Sequence, residues 1–101
     1  MEEYILVEEA IEEIVSLKVP KFSRLVKICE EFFGKYRVNG SHYIFKTPWQ
    51  GDPRINLQKG KSKDAKPYQV QQVIKALRKL RELVTENKNE QIDKKQRKKS
   101  K

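Results

Sequence analysis

Hydrophobic residues recur at helical spacing in three segments of the chain, and they alternate with polar residues in the stretch between the second and third segments. The helical segments cover residues 3–16, 22–33 and 67–84, and glutamates fill the opposite face of the first. These patterns predict three amphipathic helices. Their apolar stripes comprise Tyr4, Val7, Ala10, Ile11, Ile14 and Val15; then Phe22, Leu25, Ile28, Cys29, Phe32 and Phe33; then Val70, Val73, Ile74, Leu77, Leu80 and Val84.

Glycine and proline mark the ends of these helices. Pro20 ends the first unit, and Gly34 follows the second helix, where a residue with positive φ is favoured. Pro67 suits the first turn of the third helix, because its missing N–H has no intrahelical partner there. Cys29 falls on the second stripe, so we predict a buried, unreactive thiol.

The alternating stretch predicts three strands, at residues 35–38, 41–47 and 54–58. Asn39-Gly40 predicts a hairpin turn between the first two strands, since both residues accept positive φ. Residues 48–53 form a loop bracketed by prolines, and residues 59–66 form a basic loop. Residues 85–101 hold one strongly apolar residue and many lysines, so we predict a disordered basic tail.

The order of elements is helix, helix, three strands, helix, which predicts an α+β fold. Three antiparallel strands need a covered face, and two helices on one side would supply it. We therefore expect a single domain over residues 1–84, made of an acidic helix (1–18) before an α-β-β-β-α core (22–84). Three roles are open to the acidic helix, namely to shield a basic face, to support a dimer or to complete the core, and its apolar stripe favours the core. The uncovered face of the sheet should carry any chemistry.

Composition narrows the class of partner. The chain has 101 residues, 37% of them hydrophobic and 37% charged, so it can form one modest core. No apolar run approaches a membrane span, no secretory signal is evident, and a lone cysteine indicates a reducing compartment, so we expect a cytoplasmic protein. The net charge is +9, with −4 in residues 1–33 and +13 in the rest. This asymmetry favours a polyanion such as RNA or DNA over a merely lysine-rich surface.

The one histidine, His42, stands at the start of the second predicted strand. Alternation puts Tyr43 and Phe45 on one side of that strand and His42, Ile44 and Lys46 on the other. If Phe45 anchors the core, His42 and Lys46 lie on the open face. The candidate phosphate-binding residues are Lys35, Arg37, Ser41, Lys46, Arg54, Lys59, Lys61 and Lys63.

One histidine among cations suits RNA cleavage. The 2′-OH of RNA is an internal nucleophile, a neutral imidazole can accept its proton, and cations stabilise the charge that develops on phosphorus. The group that protonates the leaving oxygen stays open: Lys46, Tyr43, water or the same histidine. The sequence offers no clustered metal ligands, no orienting acid for a Ser41–His42 pair and no phosphate-loop spacing, so we expect no metal and no cofactor.

Gly40-Ser41-His42, followed by an aromatic residue three positions later at Phe45, resembles the signature of the HicA toxin family. Further resemblance lies in residues 22–25, in Asn56-Leu57-Gln58 and in residues 65–70, so the likeness covers roughly residues 22–84. The acidic first helix and the basic tail lie outside it, and the former is longer than in the shortest family members.

The resemblance implies a fold like that of a double-stranded-RNA-binding domain, with His42 as the catalytic residue. It implies an mRNA interferase, a metal-independent RNA endonuclease of a toxin–antitoxin stress-response pair, covered by a HicB-type antitoxin. A homodimer or a hetero-oligomer with the antitoxin is then expected. Two other readings stay open: a non-catalytic RNA-binding module of similar fold, and an interaction protein whose sheet face docks a protein partner.

Overall fold

The structure, a computed structural model, describes the backbone of residues 2–92 and the side chains of residues 6–85. Its elements are α1 (Glu2–Ser16), α2 (Phe22–Phe33), β1 (Arg37–Asn39), β2 (His42–Phe45), β3 (Ile55–Gln58) and α3 (Pro67–Ile92). The strands form one open antiparallel sheet in the order β1-β2-β3. The predicted α+β class and order of elements are thus confirmed. None of the described helices combines the length and apolarity that a membrane span requires.

The core lies between one face of the sheet and the helices. Phe45, Ile55 and Leu57 project from β2 and β3 and are at most 4% exposed. They pack with buried residues of α2 and α3, as the apolar stripes predict. Each large apolar side chain removed from water contributes about 1.5–3 kcal/mol. The prediction that Phe45 anchors the core is confirmed, and the opposite face of the sheet has no helix over it among the described elements.

Helix α1 completes this core. Its buried residues are Val7, Ala10, Ile11 and Ile14, which belong to the same apolar cluster as the stripe of α3. Val15, which the stripe also included, is instead 60% exposed at the end of the helix. The side chain of Tyr4 lies outside the described residues. Of the three roles considered for the acidic helix, completion of the core is the one that this burial supports.

Two ion pairs tie α1 to its neighbours. Arg24 of α2 donates from Nε and Nη2 to the two carboxylate oxygens of Glu13, at 2.6 and 2.8 Å. Arg81 of α3 donates to Glu8 at 2.9 Å. The hydrogen bonds from Arg24 hold the pKa of Glu13 below its usual value. The Glu13–Arg24 pair therefore supports the fold at neutral pH and loses its effect as the pH falls through the pKa of the folded carboxyl.

The hairpin between β1 and β2 differs by one residue from the prediction. Asn39 pairs with His42, so the turn residues are Gly40 and Ser41 rather than Asn39 and Gly40. Gly40 has a φ of +63°, and no described non-glycine residue has a positive φ. Positive φ at the first turn position alone is the type II′ pattern, which needs glycine only there. The strands are also shorter than predicted, and Lys35 and Lys46 lie just outside them.

Helix α3 is longer than predicted, because it continues to Ile92. The expected boundary at residue 85 therefore lies within α3, which includes residues 85–92 of the predicted basic tail. Lysine, glutamate and glutamine all have good helix propensity, which is enough to extend a helix already anchored by its packed half. The remainder of the predicted basic tail, residues 93–101, lies outside the described residues.

Two glutamines of α3 pair with the outer edge of β3. Gln69 is 1% exposed, and its Nε2 donates to the carbonyl of Gln58 at 2.7 Å. One turn further, Oε1 of Gln72 accepts the backbone N–H of Asn56. Gln69 also accepts the N–H of Lys66 at 3.1 Å, which is half of a capping box for α3. These side-chain amides supply hydrogen-bond partners to backbone groups on the edge of β3 that faces away from β2.

We expect Gln69→Leu to lower the free energy of unfolding by about 2–3 kcal/mol, because the carbonyl of Gln58 and the N–H of Lys66 would both lose a partner in a buried place. Urea unfolding measures this effect. The matched control is Gln71→Leu, the same exchange at an exposed position on the same helix, which should change stability by less than about 0.5 kcal/mol. Equal effects of the two substitutions would contradict the role assigned to Gln69.

Burial raises the pKa of the Cys29 thiol to about 12. We expect native protein at pH 8 to resist a maleimide reagent, and denatured protein to react at once, because the thiolate is the reactive form. The control is Cys29→Ala combined with Ser23→Cys, which moves the thiol to an exposed position on the same helix. That variant should react promptly when folded. Rapid labelling of the native wild type would show that α2 does not bury Cys29.

Candidate functional site

His42 opens β2 and lies half-buried on the face of the sheet opposite Phe45. The strand register puts Arg37, Asn39, His42, Ile44, Asn56 and Gln58 on this side, which we call the open face. The sequence predicts His42 and Ile44 there, and the alternation of β2 holds. The Gly40-Ser41 turn sets the position of His42, since it directly precedes the histidine.

The imidazole of His42 is held by one hydrogen bond. Its Nδ1 lies 2.9 Å from Oδ1 of Asn56, which is diagonally placed on the neighbouring strand. Because an amide oxygen only accepts, Nδ1 donates, and in the neutral ring Nε2 keeps its lone pair. Asn56 is itself held through its backbone N–H by Gln72 of α3. The arrangement aligns a neutral base whose unprotonated nitrogen is Nε2.

Asn56, the hydrogen-bond partner of His42, also lines a cationic groove, to which His42 itself does not contribute. Arg37, Lys46 and Arg54, all exposed, line it together with Ile44 and Asn56. We call this set the sheet groove. The sequence predicts all three cations as phosphate contacts, and the structure brings them together from β1, the end of β2 and the residue before β3. Guanidinium and ammonium groups beside a base suit a phosphodiester, because they can bind its oxygens while the base takes a proton.

The loop that forms the wall of the sheet groove is anchored by Trp49. Its Nε1 donates to the carbonyl of Pro53 at 2.7 Å, and its ring meets Phe33 edge-on, with centroids 5.9 Å apart. Thr47 donates to the carbonyl of Trp49 at 3.1 Å. The one hydrogen-bond donor of the Trp49 ring is therefore used within the loop, and the ring itself packs the loop against α2.

The basic loop after β3 faces a different surface. Lys59 and Lys63 line a hollow with Lys21 and Lys27, beside the rings of Tyr36 and Tyr43. We call it the lysine hollow. Tyr43 alternates with His42 along β2, so the hollow lies on the helix side of the sheet. The loop is tied down there because the N–H of Phe22 donates to the carbonyl of Lys63 at 2.9 Å.

The remaining predicted contacts join neither surface within the described part of the chain. Lys35 is exposed between α2 and β1, and Lys61 is exposed in the loop after β3. Ser41 lies in the hairpin turn, where its carbonyl accepts the N–H of Lys59 at 2.9 Å and its Oγ lies 3.4 Å from Nε2 of Gln58. The eight predicted residues therefore do not form one patch, and only Arg37, Lys46 and Arg54 share the sheet groove.

Within the described residues, no group of three or more histidine, cysteine, aspartate or glutamate side chains is placed to hold a metal ion. Cys29, the one thiol, is buried in the core and unavailable as a ligand or nucleophile. What the open face itself offers is an imidazole that can transfer a proton, at His42, and cations in the sheet groove that Asn56 shares.

Sequence reasoning missed Asn56 and Gln72 as parts of this site. Alternation along β3 places Asn56 on the polar side, opposite the buried Ile55 and Leu57, and this signal was available. Its pairing with His42 depends on the register of β2 and β3, which alternation along a single strand does not report. The role of Gln72 depends on how α3 docks, which periodicity within the helix does not report.

We expect the neutral imidazole of His42 to carry its proton on Nδ1, and the variant Asn56→Ala to shift the ring toward the Nε2–H form, because the acceptor at Nδ1 is removed. Nitrogen-15 chemical shifts of the ring at alkaline pH measure this directly. Gln58→Ala is the matched control on the same strand and face, and it should leave the tautomer unchanged. A wild-type ring protonated on Nε2 would refute the arrangement.

Comparison with known proteins returns no match at three levels. No family model matches the chain, no curated protein matches it, and no solved structure matches its fold. The resemblance to the HicA toxins therefore rests on Gly40-Ser41-His42, Phe45 and the other residues quoted for it. Function has to be argued from the geometry of the open face.

Proposed function

We propose that this protein is a metal-independent RNA endonuclease, an mRNA interferase similar to the HicA toxins, with His42 as its base. The observation that carries the proposal is the hydrogen bond from Nδ1 of His42 to Asn56, which leaves Nε2 as the acceptor of the neutral ring and joins His42 to a residue that lines the sheet groove. A histidine that only filled space would need neither a fixed tautomer nor neighbouring cations. The pairing of His42 with Asn56 supports a base in which Nε2 is the nitrogen that accepts the proton.

The reaction follows from the chemistry of RNA. Nε2 of His42 takes the proton of a ribose 2′-OH, and the oxygen attacks the adjacent phosphorus. The bond from phosphorus to the 5′-oxygen breaks, which leaves a 2′,3′-cyclic phosphate on one fragment. The proton returns from the imidazolium, or from water, to the leaving 5′-oxygen, which completes a 5′-hydroxyl. One histidine can serve both proton transfers in sequence.

The cations of the sheet groove have the complementary role. Negative charge builds on the non-bridging oxygens as the 2′-oxygen attacks, and a guanidinium can meet two of them at once. Arg37 and Arg54 carry guanidinium groups on either side of β2, and Lys46 follows that strand. Asn56 acts through His42 by holding the ring, so it is a positioning residue.

The fold supports the same proposal in a coarser way. An α-β-β-β-α core with one uncovered sheet face resembles the arrangement that we propose, that of a double-stranded-RNA-binding domain preceded by an extra helix, α1. A HicB-type antitoxin would silence the enzyme by covering the open face, where Arg37, His42 and Asn56 lie close together. We propose RNA as the substrate and such an antitoxin as the partner, in the cytoplasm.

A second candidate function is a non-catalytic RNA-binding module. The lysine hollow favours it, since Lys59 and Lys63 lie beside Tyr36 and Tyr43 on the side of the sheet away from His42. Lysines beside aromatic rings bind nucleic acid without any chemistry. This reading accounts for the hollow and leaves the fixed tautomer of His42 without a purpose.

We expect the purified protein to cleave a long, mostly single-stranded RNA in the presence of a metal chelator, and His42→Ala to lower the rate by at least about 10³-fold, through loss of the base and of its oriented proton transfer. The measurement is gel analysis of fragments, with enzymatic identification of 2′,3′-cyclic phosphate ends.

The matched control for this assay is Asn39→Ala, an exposed residue that pairs with His42 across the hairpin and makes no hydrogen bond to its ring among the described contacts. It should keep most of the activity. Equal RNA binding without cleavage by either wild type or His42→Ala would leave the binding module as the function.

A further inference from the structure

The solvent side of α3 carries a second cationic surface. Tyr68, Gln71, Lys75 and Arg78 follow one another at intervals of three or four residues, so they lie along one face of the helix. This face and the segment 52–54 before β3 enclose a groove, which we call the α3 groove. Its charged lining residues are Asp52, Arg54, Lys75, Arg78, Lys79 and Glu82.

The cations of the α3 groove have no ion-pair partner among the described side chains. Among side chains 6–85, no carboxylate lies within 4.0 Å of the charged groups of Arg54, Lys75, Arg78 or Lys79, although Asp52 and Glu82 line the same groove. Lys75 also stands three residues before Arg78 and four before Lys79, and like charges at these spacings weaken a helix. A helix built only for stability would alternate the signs here. An external anion would relieve this repulsion.

The α3 groove is continuous with the open face. Arg54 lines both the sheet groove and the α3 groove. Gln72, which lines the α3 groove, accepts the N–H of Asn56, and Asn56 in turn holds His42. A chain that runs from His42 across the sheet groove can therefore pass Arg54 and continue along α3.

We propose that the α3 groove binds the ribose-phosphate backbone of single-stranded RNA that extends from the scissile bond at His42. The proposal rests on the proposed function, because it treats the RNA at His42 as the same strand. Lys75, Arg78 and Lys79 contact phosphates, and Tyr68, 54% exposed at the start of α3, offers a ring on which a base stacks. A flexible single strand fits this surface, because it can turn at Arg54 from the sheet onto the helix.

The binding experiment uses the full chain with His42→Ala, so that the RNA stays intact. Lys75→Gln with Arg78→Gln removes two cations from the α3 groove. Lys18→Gln with Lys66→Gln removes two exposed lysines that line neither the α3 groove, the sheet groove nor the lysine hollow, as the charge-matched control. Dissociation constants are measured for RNA of about 4 and about 15 nucleotides across a salt series, lengths that span the site sizes of single-strand binders.

We expect the double substitution in the α3 groove to weaken binding of the longer RNA by about 10-fold and to reduce the slope of log Kd against log salt by about 1.4, at about 0.7 per lost phosphate contact. The short RNA, which reaches only the open face, should bind equally well to both pairs of variants. An equal loss in the control pair, or no loss in either, would overturn the proposal and leave the α3 groove to an acidic protein surface. Failure of the parent protein to bind RNA would overturn it as well.

A cleavage assay in the wild-type background separates this proposal from the proposed function. Lys75→Gln with Arg78→Gln should lower kcat/KM for the long RNA about 10-fold and leave cleavage of the short RNA unchanged. If these two substitutions leave His42-dependent cleavage of long RNA unaffected, the result supports the proposed enzyme and contradicts the role of the α3 groove. If nothing is cleaved but the length-dependent loss of binding persists, the result supports RNA binding in the α3 groove and contradicts the proposed catalysis.

Discussion

The pairing of α3 with the outer edge of β3 is the constraint on which the rest of this structure depends. A strand edge buried under a helix needs partners for its N–H and C=O groups, and a helix has no free backbone groups along its length to offer. Gln69 and Gln72 solve this with side-chain amides, one donating to Gln58 and the other accepting from Asn56. The helix is thereby locked to the strand at two points one turn apart, and Gln69 also caps its first turn.

The same pairing reaches the candidate base. With its N–H held by Gln72, Asn56 keeps its side chain on the open face, where Oδ1 meets Nδ1 of His42. The histidine receives its direction from the opposite side, through the Gly40-Ser41 turn that fixes the register of β1 and β2. The orientation of the ring thus follows from the Gly40-Ser41 turn, from Asn56 on β3 and from Gln72 on α3, although one hydrogen bond is all that reaches the ring among the described contacts.

Sequence patterns predicted what depends on local spacing and missed what depends on docking. The stripes of α1, α2 and α3, the burial of Phe45 and the place of His42 on the uncovered face all follow from periods of 3.6 and 2. The turn was misplaced by one residue because Asn39 and Gly40 both tolerate positive φ, and only the pairing of Asn39 with His42 decides between the options. Asn56, Gln69 and Gln72 looked like ordinary polar residues, since their partners lie 11 to 16 positions away. For the same reason, the separation of Lys59 and Lys63 from the sheet groove was not visible in the sequence.

The proposed roles differ in the kinetic quantity that they affect: α3 affects the affinity for RNA, and His42 affects the rate of the chemical step. Phosphate contacts along α3 hold substrate and transition state equally, because they lie away from the bond that breaks, so they raise affinity without raising kcat. In the proposed mechanism, His42 and the cations of the sheet groove act where charge and protons move, so they would govern kcat. An RNA-cleaving protein with one imidazole gains most from capture at low RNA concentration, which is what a row of unpaired cations provides. An antitoxin then needs only to cover the small region around Arg37, His42 and Asn56, because a strand held on α3 alone would be bound and left uncut.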